Sequence, residues 1–296
     1  MTTDEHAERF TLLRPLLFTI VYEILGSATD SDDVLQNSYL RWAEVDLATV
    51  RDTKSYLAQL VTRQALNAVR TNARRREDYV GPWLPEPLLL DANDASADVL
   101  LAESVSMAML VLFETLTPDE RAVFVLREVF GFEFRDIATA VGKPVATARQ
   151  VAHRAREHVR ARRRRFEPAD AVTTAQITEQ FLTAATTGDL DGLLSLLAPD
   201  VAWTADSGGK ATAARRPVVG AEKVAAVLMS LFRLERLANL RIEKVNCNST
   251  PTLVLRGERL EGVFLIEIAD GRITNFYAIR NPDKLLAVGV PRQIGR

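Results

Sequence analysis

Apolar residues recur at helical spacing through the first quarter of the chain. Phe10, Leu13, Leu17, Ile20 and Ile24 keep the period of a helix, and Gly26 ends it. Asp30 or Ser31 stands where it can cap the next helix, which has an acidic start and the apolar set Val34, Leu35, Tyr39 and Trp42. A third run, residues 53–76, turns Leu57, Leu60, Val61, Ala65 and Ala68 inward. It sets Arg63, Asn67, Arg70 and Arg74 on one outward stripe. Residues 79–101 follow neither period. They hold three prolines within residues 82–87 and neither Lys nor Arg, which predicts a partly extended linker. Within it Trp83–Pro87 reads WLPEP. Proline fixes the backbone and Trp offers a large apolar contact, so this piece is expected to dock on a surface.

The helical pattern resumes at Thr117-Pro118, a helix opening with Asp119 and Glu120 in the first turn, where the dipole favours acids. Gly131 closes that helix. Ile137, Ala138 and Val141 bury a second, which Gly142 stops. Pro144 opens a third. Its inner face is Ala148, Val151, Ala152, Ala155 and Val159, and its outer face carries Arg149, His153, Arg156 and Arg160. A short support helix, a glycine turn and a basic second helix are what a helix-turn-helix needs to enter a major groove. A merely solvated charged face would not explain why the three features occur together.

After a short linker, FEPADAVT, the period changes. Residues 173–203 predict two amphipathic helices and residues 219–235 a third. Alternating runs then predict strands at 240–247, 252–257 and 262–279, with Asp270-Gly271 as a hairpin turn. Helices first and an antiparallel sheet later make an α+β domain.

Charge sharpens this picture. The net formal charge of the 296 residues is −2, yet residues 149–165 hold eight arginines against one acid, and residues 63–76 hold five against none. Two basic stripes in a nearly neutral chain are a nucleic-acid footprint. Residues 166–296 hold 15 basic and 15 acidic side chains, which gives that part no electrostatic reason to bind DNA. One cysteine, Cys247, excludes an intrachain disulfide and a cysteine-rich zinc site. No histidine lies after His158, so the C-terminal part has no histidine base and no histidine metal ligand, and no metal or cofactor is expected. The first residues lack a signal-peptide pattern and no apolar run is long enough to span a bilayer. The expected location is cytoplasmic, with no membrane partner.

These segments resemble a known family. DSDDVLQNSYLRWAEV, SYLAQLVTRQALNAVRTNARRR and the helix-turn-helix at 119–160 are similar, in order and spacing, to extracytoplasmic-function (ECF) sigma factors of bacterial RNA polymerase. WLPEP, the DGGGK-like Asp206-Ser207-Gly208-Gly209-Lys210 and the NPDK at Asn281–Lys284 resemble the motifs of the SigJ-like subgroup, which carries a SnoaL-like C-terminal extension. The resemblance implies two all-α sigma domains, a helical bundle and a helix-turn-helix, followed by an α+β SnoaL-like cone. The expected boundaries are residues 1–78 for region 2, 79–102 for the linker, 103–165 for region 4, 166–172 for a second linker and 173–296 for a regulatory domain. It further implies core RNA polymerase and promoter DNA as partners, no separate anti-sigma factor, and no enzymatic turnover. Ser207 departs from the glycine of the motif, and serine disfavours positive φ.

The implied roles fall on named residues. Asp32, Asp33 and Gln36 would dock on polymerase. Arg63, Asn67, Arg70, Arg74, Arg75 and Arg76 would face the −10 element, arginine at phosphates and Asn at a base edge. Thr147, Arg149, Gln150, His153, Arg154 and Arg156 would read the −35 element. Trp83, Leu84, Pro85, Glu86 and Pro87, the loop with Asp206, Gly208, Gly209 and Lys210, and Asn281, Pro282, Asp283 and Lys284 are expected to meet at one interdomain regulatory contact. Two other readings stay open at this stage. One is a one-component helix-turn-helix regulator with a small ligand in the C-terminal pocket. The other is a SnoaL-like isomerase or hydrolase with Asp206 as its base, fused to a DNA-binding module.

Overall fold

A computed structural model describes residues 2–90, 99–162, 170–232 and 240–296, side chains 2–4, 73–76, 99 and 171 excepted. The chain divides into two compact units. Unit 1 comprises Met1–Glu77, Leu90–Arg163 and Arg292–Arg296, and unit 2 comprises Asp78–Leu89 and Arg164–Pro291.

Unit 1 is helical. Helices α1 (Thr2–Leu25), α2 (Ala28–Trp42) and α3 (Thr53–Glu77) pack on one another. Gly26 takes a left-handed φ of 68° and closes α1. The next helix therefore starts earlier than the acidic residues suggest: its cap is Ser27, whose Oγ accepts from Asp30 N at 3.0 Å, and not Asp30 or Ser31. Trp42 is fully buried and its indole N–H donates to His6 O at 2.9 Å, which ties the end of α2 to the start of α1. The second half holds α4 (Val99–Ser104), α5 (Met107–Phe113), α6 (Pro118–Phe124), a π-helical turn (Val125–Val129), α7 (Phe134–Val141) and α8 (Val145–Arg162). Thr117 and Glu120 form a reciprocal capping box at α6. Gly142, with φ of 66°, turns the chain from α7 into α8. Ala148, Val151, Ala152, Ala155 and Val159 are all buried, the inner face that the spacing predicts.

Unit 2 is α+β. Helices α9 (Ala171–Thr187), α10 (Leu190–Leu196) and α11 (Ala221–Leu231) share a core with one six-stranded sheet. The strands are β1 (Leu197–Asp206), β2 (Val218–Val219), β3 (Arg241–Cys247), β4 (Thr250–Arg256), β5 (Leu260–Ala269) and β6 (Arg272–Ile279), in the order β2-β1-β6-β5-β4-β3. The sheet is mixed and not purely antiparallel. Strand β1 leaves α10 directly and runs parallel to β6. Its alternation of Val201, Trp203 and Ala205 was hidden behind the preceding leucine run. Asp270 and Gly271 both have positive φ and close the β5–β6 hairpin. No described helix is long and apolar enough to cross a membrane.

The WLPEP segment belongs to unit 2. Leu84, Pro85, Glu86, Pro87 and Leu88 are buried. One end is held at Asp206 of β1, and the other at the β3–β4 turn. There Leu88 exchanges two hydrogen bonds with Asn248, at 2.9 Å from Asn248 N to Leu88 O and 2.8 Å from Leu88 N to Asn248 Oδ1. Strands β6, β5 and β4 lie between these anchors, so the linker is a strap that crosses the sheet.

Candidate functional site

In unit 1 the basic residues lie on two helices. On α3, Arg63, Asn67 and Arg70 are exposed on one stripe, and the side chains of Arg74, Arg75 and Arg76 lie outside the described residues. On α8, Arg149, Gln150, His153, Arg154 and Arg156 are exposed, with Thr147 half-buried near the helix start. The Arg149 guanidinium lies 5.6 Å from the Phe134 ring centre and that of Arg127 4.8 Å, so one aromatic ring holds two cations at the helix-turn-helix.

Several of these cations already have protein partners. Arg63 donates to Thr139 O in α7 at 2.8 Å. Asp119 pairs with Lys143 at 2.8 Å and with Arg70 at 3.9 Å. Glu120 stands 4.0 Å from Arg154, and Glu128 3.3 Å from Arg156. Ser55 and Gln59 of α3 also reach Asp136 of α7. Helix α3 thus packs against the support helix of the helix-turn-helix through Ser55, Gln59 and Arg63.

On α2, Asp33 and Gln36 are exposed and Asp32 is half-buried. Asp32 pairs with Arg14 at 3.1 Å and with Arg292 at 2.6 Å. Arg292 also lies 5.6 Å from the Phe18 ring centre and bridges to Leu90, while Gly295 N donates to Thr19 Oγ1 at 3.2 Å. Residues 292–296 thereby line α1 and the start of α2. Sequence reasoning missed Arg292, because a lone arginine beyond the NPDK segment carries no pattern.

In unit 2 the three motifs converge on Asp206. Val201, Trp203 and Ala205 face the helical core, so strand alternation turns Asp206 to the other face of the sheet. Its carboxylate is fully buried. It accepts from Tyr79 Oη, from Leu84 N at 2.8 Å and from Lys284 Nζ at 2.7 Å. Its main-chain oxygen accepts from Arg280 N at 2.7 Å and Asn281 N at 3.1 Å. Lys284, itself buried, also donates to Leu84 O and sits 3.3 Å from the Trp83 ring centre and 5.0 Å from that of Tyr79. Asn281 Nδ2 donates to Tyr79 Oη at 2.8 Å, and Asn281 Oδ1 caps the helical turn Pro282–Leu285. Burial, reinforced by the hydrogen bond to Asp206 and its charge, pushes the Tyr79 hydroxyl far above its ordinary value, so it stays a donor.

The glycines of the loop have a steric reason. Gly208 and Gly209 have φ of 56° and 73°. A Cβ on Gly208 would stand 2.6 Å from Asn281 Nδ2 and 3.0 Å from Tyr79 Oη. Ser207 is not among the positive-φ residues, so its departure from glycine costs the loop nothing. Lys210 pairs with Asp283, but both are largely exposed and such a pair adds little. Tyr79 and Asn248 were not singled out from sequence. Tyr79 is four residues before Trp83, and Asn248-Ser249 before a strand was a turn signal.

These two helical modules match known ones. Residues 10–75 match sigma-70 region 2, and residues 106–159 match sigma-70 region 4. The chain is 35% identical over 287 residues to the ECF RNA polymerase sigma factor SigJ of Mycobacterium tuberculosis, covering 93% of this chain and 91% of that one. It belongs to the ECF RNA polymerase sigma factors. SigI of the same organism is 29% identical, with 92% of each chain covered. The crystal structure of M. tuberculosis SigJ superposes with a TM-score of 0.76 at 30% identity, over 95% of this chain and 98% of that one.

Proposed function

We propose that region 2 engages core polymerase through the α2 face around Asp32, Asp33 and Gln36. Arg63, Asn67 and Arg70, continued by Arg74–Arg76, face the −10 element, and α8 reads the −35 element through Thr147, Arg149, Gln150, His153, Arg154 and Arg156. Unit 2 is a regulatory module with no turnover of its own and stands in place of a separate anti-sigma protein.

The observation that supports this reading of unit 2 is the state of Asp206. A general base needs an open lone pair near a substrate. Asp206 is fully buried, accepts from Tyr79, Leu84 and Lys284 on its two oxygens, and faces away from the helical core of its sheet. It works as the anchor of the strap. On unit 1, the Arg292–Asp32 pair covers part of the face assigned to polymerase, which supports a restraining role for residues 292–296.

The test is run-off transcription with purified core polymerase on DNA from upstream of the gene. Specific transcripts are expected from the full chain, and more from Arg292→Ala. Polymerase-independent DNA binding with no transcript would favour the one-component regulator instead.

A further inference from the structure

The two promoter-reading halves of unit 1 meet around one buried acid. Glu23 of α1 is fully buried. From the region 4 side it meets Ser104, the last residue of α4, and Arg121 of α6. Arg121 makes no hydrogen bond to the carboxyl: Nε donates to the main-chain oxygen of Glu23 at 2.6 Å, Nη1 donates to Glu114 at 2.7 Å, and the buried Nη2 has no hydrogen-bond partner among the described residues. Among the described residues the Glu23 carboxyl keeps a single hydrogen bond, Oε1 with Ser104 Oγ at 2.6 Å, and its Oε2 has no hydrogen-bond partner. Ser104 Oγ is also 2.9 Å from Leu101 O. A hydroxyl has one hydrogen and a carbonyl only accepts. When that hydrogen goes to Leu101 O, the short contact with Glu23 requires a hydrogen on the carboxyl. An ionised carboxylate with one hydrogen bond in a fully buried site is also costly.

We infer that the packing of region 2 on region 4 is a proton-coupled clasp, in which Glu23 takes up a proton as the two halves close and releases it to water as they part. The inference deepens the sigma-factor reading and draws its biological meaning from it. Elements at −10 and −35 are centred about 25 base pairs apart, roughly 85 Å of duplex. Helix α3 cannot span that distance while Arg63 is bonded to Thr139 of α7. Reading both elements therefore requires the halves to part, which exposes Glu23.

The direction follows from the surroundings. Burial pushes the Glu23 carboxyl from an ordinary 4.5 up to about 8, against the opposing pull of the Ser104 hydrogen bond and the Arg121 charge. Helices α2, α3, α5 and α6 and the π turn all pack on α1, and from them Arg121 is the charge that reaches the carboxyl, with Glu114 behind it. Below 4.5 both states are protonated and pH has no leverage. Between there and about 8 the closed state holds a proton that the open state does not, so rising pH favours opening. Above that both are ionised and the effect levels off.

The test uses the full chain with spin labels at Glu44→Cys and Glu157→Cys, both exposed, against a buried native Cys247. The distance distribution is measured from pH 5 to 9. The ratio of short to long distances is expected to fall by up to about tenfold per pH unit below pH 8. Glu23→Gln should flatten that slope to under about twofold per unit, and Glu23→Leu, of similar bulk, provides the same readout if the amide variant does not fold. A flat profile in the parent chain, including one with no long distances at any pH, overturns the clasp, as does a wild-type slope in either variant. Run-off transcription on the same samples separates the two ideas. Transcripts with a flat profile refute the clasp alone, and a steep profile without transcripts refutes the sigma reading.

Discussion

Lys284→Met tests whether the strap is held by charge or only by apolar packing. Methionine keeps the bulk and the contact with Trp83 but removes the ammonium. The Lys284 side chain is 4% exposed and that of Asp206 0%, so the loss leaves a carboxylate in a dry site. Removing one partner of a buried pair costs about 3–5 kcal/mol. Asp206 keeps two donors, Tyr79 Oη and Leu84 N, which places the expected cost near the lower end, about 3 kcal/mol. Leu84 O also loses its buried donor, worth about 1 kcal/mol. The assay is urea unfolding of the full chain. Adding Asp206→Asn to Lys284→Met removes the stranded charge, so the double variant should recover at least about 2 kcal/mol relative to the sum of the singles. A Lys284→Met loss under about 1 kcal/mol, or strict additivity in the double variant, would refute the argument that the ion pair anchors the strap.

Two further outcomes follow from the same geometry. Gly208→Ala should cost about 1–3 kcal/mol in thermal or urea unfolding, because its Cβ meets Asn281 and Tyr79 at positive φ, whereas Ser207→Gly should change stability by less than about 1 kcal/mol. Arg149→Ala should weaken binding of the polymerase complex by about 1–3 kcal/mol at one −35 base and relax discrimination there, measured on single-base promoter variants; an equal loss on all sequences would assign Arg149 to phosphate instead.

The helical half was legible because its signals are local. Thr117-Pro118, Gly142 and the 148–159 inner face each encode an element within a few residues. The helix-turn-helix therefore stands where the pattern put it. Strand β1 was not legible. Its partner β6 is about seventy residues away, and a parallel pairing leaves no turn signal. The Asp206 cluster was half legible. Its motifs named Asp206, Trp83, Asn281 and Lys284, but the face on which Asp206 lies depends on strand register, which its short motif does not encode. The Arg292–Asp32 pair spans 260 positions and was invisible for the same reason.

The carboxylates that stand beside Arg70, Lys143, Arg154 and Arg156 have a consequence for how this protein responds to ionic strength. Asp119, Glu120 and Glu128 are tethered counterions already in place before DNA arrives. Salt weakens these internal pairs as well as the contacts to phosphate. Each basic side chain that moves from carboxylate to phosphate thus loses less net affinity with added salt than a free one would. The slope of log affinity against log salt will accordingly fall below what the number of phosphate-bound arginines and lysines suggests. Counting phosphate contacts from that slope will undercount them.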